Sequence, residues 1–391
     1  MATKKNTMKI NFKFITNYCI SEILNIFVKR QNNYWLFSSS FAKKFNYNSK
    51  YLFLYILENN PEITAKFVIN DDELRAQLAE KYGDYFIETK SINGIIEALK
   101  ASTWVISSGF PILMLFSSFK RTVINVWHGV PLKNIGLCEN NISSIKKAYI
   151  RIYHARNNTL FSSPSSKLTD IFSKSLGIKK EKIQILGQPR NDMLFKNIDF
   201  GKWLKQNQIS FPEYEKIIFY APTFREGKEI KLFPFPDFDQ VELDKWLKDN
   251  QYIIIIRLHQ SDKTDISTYL GSKRIFLFNE KVIDDIMEIL SCFDLLITDY
   301  SSIYIDYLLM NKPVVFLPYD YNEYISDRGF LFDYNKFTPG PKPTNFIEFK
   351  SEVTQLLQDK TYFFSERNKT NNFFNEVGDG SCKRIVDFVS K

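Results

Sequence analysis

The sequence predicts an α/β fold of two similar domains, and three observations carry that reading. Strand-length apolar runs alternate with longer amphipathic stretches from Trp35 to Phe195. The same rhythm starts again after a polar segment near Asn197–Glu213, and beyond Pro339–Pro341 only helical patterns remain. Such alternation builds parallel sheets covered by helices, because two parallel strands can be joined only through a crossover.

In the first series YWLF, AKFVI, YFIE, TWVISS, TVINVW, TLFSS and KIQILG read as strands. Between them DDELRAQLAEKYG and SPSSKLTDIFSKSLG read as helices, the second opened by Ser and closed by a Gly suited to a C-cap. The second series offers KIIFYAPT, QYIIIIRLH, RIFLF, DLLITD and PVVFLP as strands, with IDDIMEILSCF as a helix among them. FIEFKSEVTQLLQD and GSCKRIVDFVSK are the closing helices. The expected domains are 1–196 and 214–360, with helices in 361–391 crossing back to the first. The amphipathic stretch Ile10–Val28 is a helix with two readings: interfacial, with Lys4, Lys5, Lys9 and Lys13 flanking an apolar face, or docked on the first domain.

A chain of 391 residues has room for two domains with their own cores. Its 44% hydrophobic and 25% charged residues exclude a disordered or membrane-spanning body. No run approaches the roughly 20 apolar residues a spanning helix needs; even Tyr252–Ile256 is closed by Arg257 and His259. The basic N-terminus lacks the apolar core of a secretory signal, so a cytoplasmic location is expected. Cys19, Cys138, Cys292 and Cys382 have no paired spacing, which argues against a zinc site and a disulfide framework. The net charge of +8 suits an anionic partner: nucleic acid, a nucleotide, a phosphate polymer or an acidic membrane surface. No recognised nucleic-acid motif accompanies it, and nucleic acid is set aside.

Three histidines bound any imidazole chemistry. His128 follows the run ending in Trp127 and precedes Gly129 and Pro131, the punctuation of a strand-to-loop turn; it is either a cleft imidazole or a structural turn residue. His259 ends a second central strand, and the two could serve one cleft. His154, in YHARNN, reads as a surface or packing residue. In DLLITDYSSIYIDYLLMNKPVVFLP, the turn residues Thr298, Asp299, Ser301 and Ser302 start a helix where backbone N–H groups and hydroxyls favour an anion. Asp306 lies one helical turn on, able to accept hydrogen bonds from polyol hydroxyls, although an ordinary capped helix would look the same. GQPRND supplies Arg190, and YAPTFRE supplies Thr223 and Arg225, either as phosphate ligands or as interdomain ion pairs. No P-loop and no acidic cluster is present, so a protein-ligated metal is not predicted; added Mg2+ stays compatible.

Taken in order, WHGVPLK, GQPRNDML, YAPTFRE, RLH and ITDYSSIYIDYLLMNKPVVFLPYDYNEY resemble the CDP-glycerol glycerophosphotransferases of teichoic acid synthesis, over about Trp35 to Asp333. The resemblance implies a glycosyltransferase-B-like architecture: two Rossmann-like domains facing across a cleft, acceptor in the first, CDP donor in the second. It implies His128 as base, His259 and Ser301–Ser302 as donor-phosphate ligands, Asp306 as a glycerol contact, and Arg190, Thr223 and Arg225 in the cleft. Val130 and Gln260 depart from the Thr and Pro usual in the family. The implied reaction moves glycerol phosphate from CDP-glycerol to a hydroxyl of a saccharide or lipid-linked acceptor, releasing CMP, as a primer or linker enzyme or a polymerase. Teichoic acid or capsule assembly at the inner face of the cytoplasmic membrane is the implied setting. A CDP-ribitol donor, or a nucleotide-sugar transferase of the same architecture, is the alternative.

Overall fold

The computed structural model describes residues 12–259, 262 and 264–390, with side chains from Tyr18 onward. Lys4, Lys5, Lys9 and Gln260, and the side chain of Lys13, lie outside the described residues. The chain divides into two compact units. The first comprises 1–128, 148–162 and 176–184; the second comprises 129–147, 163–175 and 185–391.

Seven strands form the first sheet: β1 (Gln31–Ser38), β2 (Thr64–Val68), β3 (Phe86–Ile87), β4 (Ala101–Ile106), β5 (Thr122–Asn125), β6 (Leu160–Ser163) and β7 (Ile183–Ile185). Their order is β3-β2-β1-β4-β5-β6-β7, and β1 pairs in parallel with both β2 and β4. The chain therefore winds outward from the centre in one direction and then returns to wind in the other. Between β1 and β4 the connections diverge, which opens a crevice at the carboxyl ends of those two strands.

The second sheet repeats the plan with β8 (Lys216–Ala221), β9 (Tyr252–Ile256), β10 (Ile275–Leu277), β11 (Leu295–Thr298) and β12 (Val314–Phe316), ordered β10-β9-β8-β11-β12. Its switch point lies between β8 and β11, paired in parallel from Leu295–Ile218 to Thr298–Ala221. β9, β11 and β12 are buried at every residue. That burial explains their unbroken apolar runs, since both faces of a parallel sheet are covered.

Each predicted strand is found. The helix Asp72–Tyr82 starts where the Asp71 side chain accepts from Leu74 N, and ends at Gly83, whose positive φ of 100° suits glycine. IDDIMEILSCF is not one helix but two 3₁₀ turns, Ile286–Glu288 and Leu290–Cys292. Arg257 borders this segment, its guanidinium donating to Ile283 O and Asp284 O, both at 2.8 Å, while Asp285 Oδ1 accepts from Met287 N at 3.1 Å. In the second unit, Asp192 caps the helix Ser381–Val389 through Ser381 N (2.8 Å) and Cys382 N (2.9 Å).

Candidate functional site

In the first unit, the turn after β5 is built to hold one imidazole. Trp127 sits in the left-handed region (φ 53°), a conformation that costs a bulky residue about 1–3 kcal/mol. Two buried or nearly buried asparagines offset that cost. Asn48 Nδ2 donates to Val126 O (2.8 Å) and Trp127 O (3.0 Å), and Asn125 Oδ1 accepts from Trp127 N (2.9 Å). The turn stacks the Trp127 ring 4.2 Å from that of His128, with Tyr47 at 5.4 Å on the ring as well.

His128 Nδ1 lies 3.1 Å from Ser107 O. A carbonyl can only accept, so Nδ1 carries the proton and Nε2 of the neutral ring keeps its lone pair. Ser107 is itself fixed, because its hydroxyl meets Ser49 N and Ser49 Oγ, both at 2.8 Å. His154 packs beside Trp127 and Phe110, with ring centroids 6.3 Å away in each case. Burial, with a smaller contribution from His128, lowers its pKa to about 4.

In the second unit, the predicted residues gather into two clusters. At the β8–β11 switch point, Asp299 Oδ1 accepts from Thr223 N (2.8 Å) and Tyr300 N (2.6 Å), while Oδ2 pairs with Arg225 at 2.8 Å. Arg225 also forks onto Asp320, Nε to Oδ2 at 2.8 Å and Nη2 to Oδ1 at 3.0 Å. Burial alone would lower the guanidinium pKa, but the Asp320 and Asp299 carboxylates outweigh it and raise it. Thr298 Oγ1 donates to Ala221 O at 2.7 Å and is fully buried. Ser301 and Ser302 remain half-buried, ahead of a five-residue helix, Ile303–Tyr307. His259 is exposed beyond β9, its ring 5.0 Å from Phe224 in the loop after β8.

The second cluster joins Gly129, Arg190 and Asp306. Arg190 forms an ion pair with the buried Asp306 carboxylate, and Gln188 Nε2 donates to the same carboxylate at 3.1 Å. Gly129 has φ 131°, a backbone region that strains any other residue, and a Cβ there would lie 2.7 Å from Arg190 Nη2, so a side chain would push the guanidinium from its place. Asp306 in this state is occupied by Arg190 and Gln188. Sequence reasoning missed Gln188, Asp320, Asn48 and Asn125. Only Asn125, an Asx residue at a strand end, carried a local signal. Among the described residues no three His, Cys, Asp or Glu side chains assemble as a metal site.

Residues 21–391 match the profile of the CDP-Glycerol:Poly(glycerophosphate) glycerophosphotransferase family. A teichoic acid poly(glycerol phosphate) polymerase of Bacillus subtilis (strain 168) is 30% identical over 333 residues, 82% of this chain but 43% of that protein. A teichoic acid glycerol-phosphate transferase of Staphylococcus aureus (strain NCTC 8325 / PS 47) is 25% identical over 98% of this chain and 100% of its own length. In fold, the chain is similar to the wall teichoic acid polymerase TagF in a substituted form soaked with CDPG. That likeness has a TM-score of 0.77 at 24% identity and covers 96% of this chain and 93% of the other.

Proposed function

The chain belongs to the CDP-glycerol:poly(glycerophosphate) glycerophosphotransferase family and is by that membership a glycerophosphotransferase; on this premise we propose that it transfers glycerol phosphate from CDP-glycerol to a hydroxyl of a teichoic-acid-type or capsular acceptor. The acceptor oxygen attacks the phosphorus that bears glycerol, the bond from that phosphorus to the CMP oxygen breaks, and CMP leaves with the electron pair. His128 Nε2 takes the hydroxyl proton. The observation that carries this assignment is the 3.1 Å contact of Nδ1 with Ser107 O, which leaves the opposite nitrogen basic.

The donor is assigned to the second unit. Ser301 and Ser302 present hydroxyls at the switch point where Thr298 and Asp299 are turned inward, and we give the serine pair to the donor phosphates. His259, exposed beside Phe224, is assigned to the same pyrophosphate. Arg190 neutralises developing charge, with Asp306 and Gly129 setting its position; a glycerol hydroxyl could reach Asp306 only by displacing part of that pairing. Thr223 and Arg225 hold the switch-point loop through Asp299. Transfer of this kind depends on positioning and charge neutralisation more than on covalent catalysis.

Peripheral association with the inner face of the cytoplasmic membrane, and work beside other capsule or teichoic acid assembly proteins, form part of the same proposal. Its support is the exposed apolar side of helix Phe12–Phe27, where Ile23, Ile26 and Phe27 face outward. No described helix is long and apolar enough to cross a membrane.

The test is to incubate purified protein with CDP-glycerol, CDP-ribitol or nucleotide sugars and a panel of lipid-linked and free saccharides, then weigh the products. CMP release with a product heavier by glycerol phosphate is the expected result. Release of a nucleoside diphosphate from a nucleotide sugar would replace this reading with a glycosyltransferase.

A further inference from the structure

Three consecutive residues, Tyr47, Asn48 and Ser49, open the helix Tyr47–Asn59, and each reaches the His128 imidazole by a different route. The Tyr47 ring lies 5.4 Å from it. Asn48 Nδ2 bonds the two carbonyls that precede it, Val126 O at 2.8 Å and Trp127 O at 3.0 Å. Ser49 holds Ser107, whose carbonyl accepts from Nδ1 at 3.1 Å. We propose that Tyr47, Asn48 and Ser49 are positioning residues for the transfer, which fix the orientation and the tautomer of the imidazole so that Nε2 meets the acceptor hydroxyl as a base. This positioning rests on the reading of His128 as the base and names what sets it.

The hydroxyl protons of the serine network have one consistent placement. Ser49 Oγ donates to Ser38 O at 2.9 Å, which uses its one proton. Ser107 Oγ therefore donates to Ser49 Oγ, and it accepts from Ser49 N, both at 2.8 Å. Ser107 N donates in turn to Ser38 O at 3.2 Å. Ser107 is thus bonded through its N–H, its hydroxyl and its carbonyl, so the carbonyl meets the imidazole from a fixed direction. Asn48, Ser49 and Ser107 are all buried. A buried polar network is costly unless its members are paired, and once paired it admits one geometry.

The two aromatic rings on the imidazole both belong to strained residues. Tyr47 has φ 58° and Trp127 has φ 53°, a region that bulky side chains seldom adopt. Asn48 secures both, because it follows Tyr47 in the chain and bonds the carbonyls of the two peptide groups that flank Trp127 Cα. Without its amide, both carbonyls lose a donor and Trp127 is free to relax toward an ordinary backbone conformation. That relaxation would swing the next residue, which is His128. Proton transfer is sensitive to such a shift, since a displacement of about 1 Å costs on the order of 10²-fold in rate.

The test combines steady-state transfer with NMR of the full chain carrying ring-¹⁵N-labelled histidine. There are three histidines, and His128→Gln identifies the His128 signals by their loss. In the unsubstituted chain the proton should sit on His128 Nδ1. Asn48→Ala and Ser49→Ala should give a mixture of the two tautomers, with kcat about 10–100-fold lower and the KM for CDP-glycerol within about twofold. Tyr47 is half-buried, so Tyr47→Leu is expected to fold; it should lower kcat about tenfold, and Tyr47→Phe, which keeps the ring, should restore it. Ser117→Ala, at a buried serine bonded to Met114 O, should lower the melting temperature and move neither the ring signals nor kcat. A single Nδ1–H tautomer retained in both Asn48→Ala and Ser49→Ala, or a kcat for Asn48→Ala as high as that of Ser117→Ala, overturns the proposal. If the unsubstituted chain transfers nothing from CDP-glycerol while the ring signals respond as expected, the transferase reading fails and the positioning of the ring stands.

Discussion

Arg225 and Asp299 meet at 2.8 Å across the ends of β8 and β11, and with Asp320 on the other side the guanidinium spans two carboxylates. An arginine that the sequence leaves open between phosphate ligand and ion pair is here an ion-paired clasp between the two central strands of the second sheet. Removing it leaves two carboxylates in a poorly hydrated pocket without a counter-charge. Arg225→Ala should therefore destabilise the protein by about 3–5 kcal/mol in urea unfolding. Arg225→Lys should recover only part of this, because a single ammonium cannot fork onto Asp320 while holding Asp299. A loss in Arg225→Ala no larger than that of an exposed lysine would show that the clasp carries no framework role.

The Arg190–Asp306 pair gives a second expectation. Gly129→Ala places a methyl group 2.7 Å from Arg190 Nη2, closer than van der Waals contact allows, and forces alanine into a backbone region it avoids. Stability should fall by about 1–3 kcal/mol. Combined with Arg190→Ala, the steric part should vanish and the backbone part remain, so the two changes should be non-additive in a double-mutant cycle. Strict additivity would mean the glycine is not there to admit the guanidinium.

Ser301 and Ser302 behave differently from their neighbours. Ser302 makes no side-chain cap bond, and Ser301 Oγ is 3.5 Å from Ile303 N, at the limit for a hydrogen bond. A working N-cap serine costs about 0.5–2 kcal/mol when changed to alanine. Here the melting temperature should barely move, whereas the KM for CDP-glycerol should rise roughly tenfold or more, as expected for hydrogen bonds to a charged group. A drop in melting temperature with an unchanged donor KM would make the pair structural.

The strands were legible because parallel strands buried on both faces leave unbroken apolar runs, as in Tyr252–Ile256 and Leu295–Thr298. The helix expected at IDDIMEILSCF was not: the segment forms two short turns, and its first carbonyls are bonded by Arg257, a partner that local periodicity does not reveal. The same limit applies to the sites. Sequence places Arg190, Thr223, Arg225, Asp299 and Asp306 at strand ends or on the following helix, but it cannot show that Asp299 turns inward to Arg225 or that Asp306 is taken by Arg190. Those outcomes depend on which carboxylate the fold delivers to which cation. Asn48 and Gln188 were invisible because each acts on a partner more than seventy residues away.

His154 predicts a pH dependence of stability. Its folded pKa, about 4, lies below the ordinary value near 6.5, so between those two values the unfolded chain binds a proton that the folded one does not. Stability is therefore full above about pH 6.5 and is lost as pH falls toward 4, by at most about 3 kcal/mol from this residue. His154→Gln should flatten that part of the curve, read as denaturation midpoint against pH. A curve as steep as before would place the acid sensitivity elsewhere.

The most direct test of the account is single-turnover transfer by His128→Ala at saturating CDP-glycerol and acceptor, with donor affinity measured in parallel. The account predicts that transfer falls roughly 10²–10⁴-fold while CDP-glycerol still binds, because the imidazole acts on the acceptor proton and not on the donor. Near-normal turnover in that variant would contradict it.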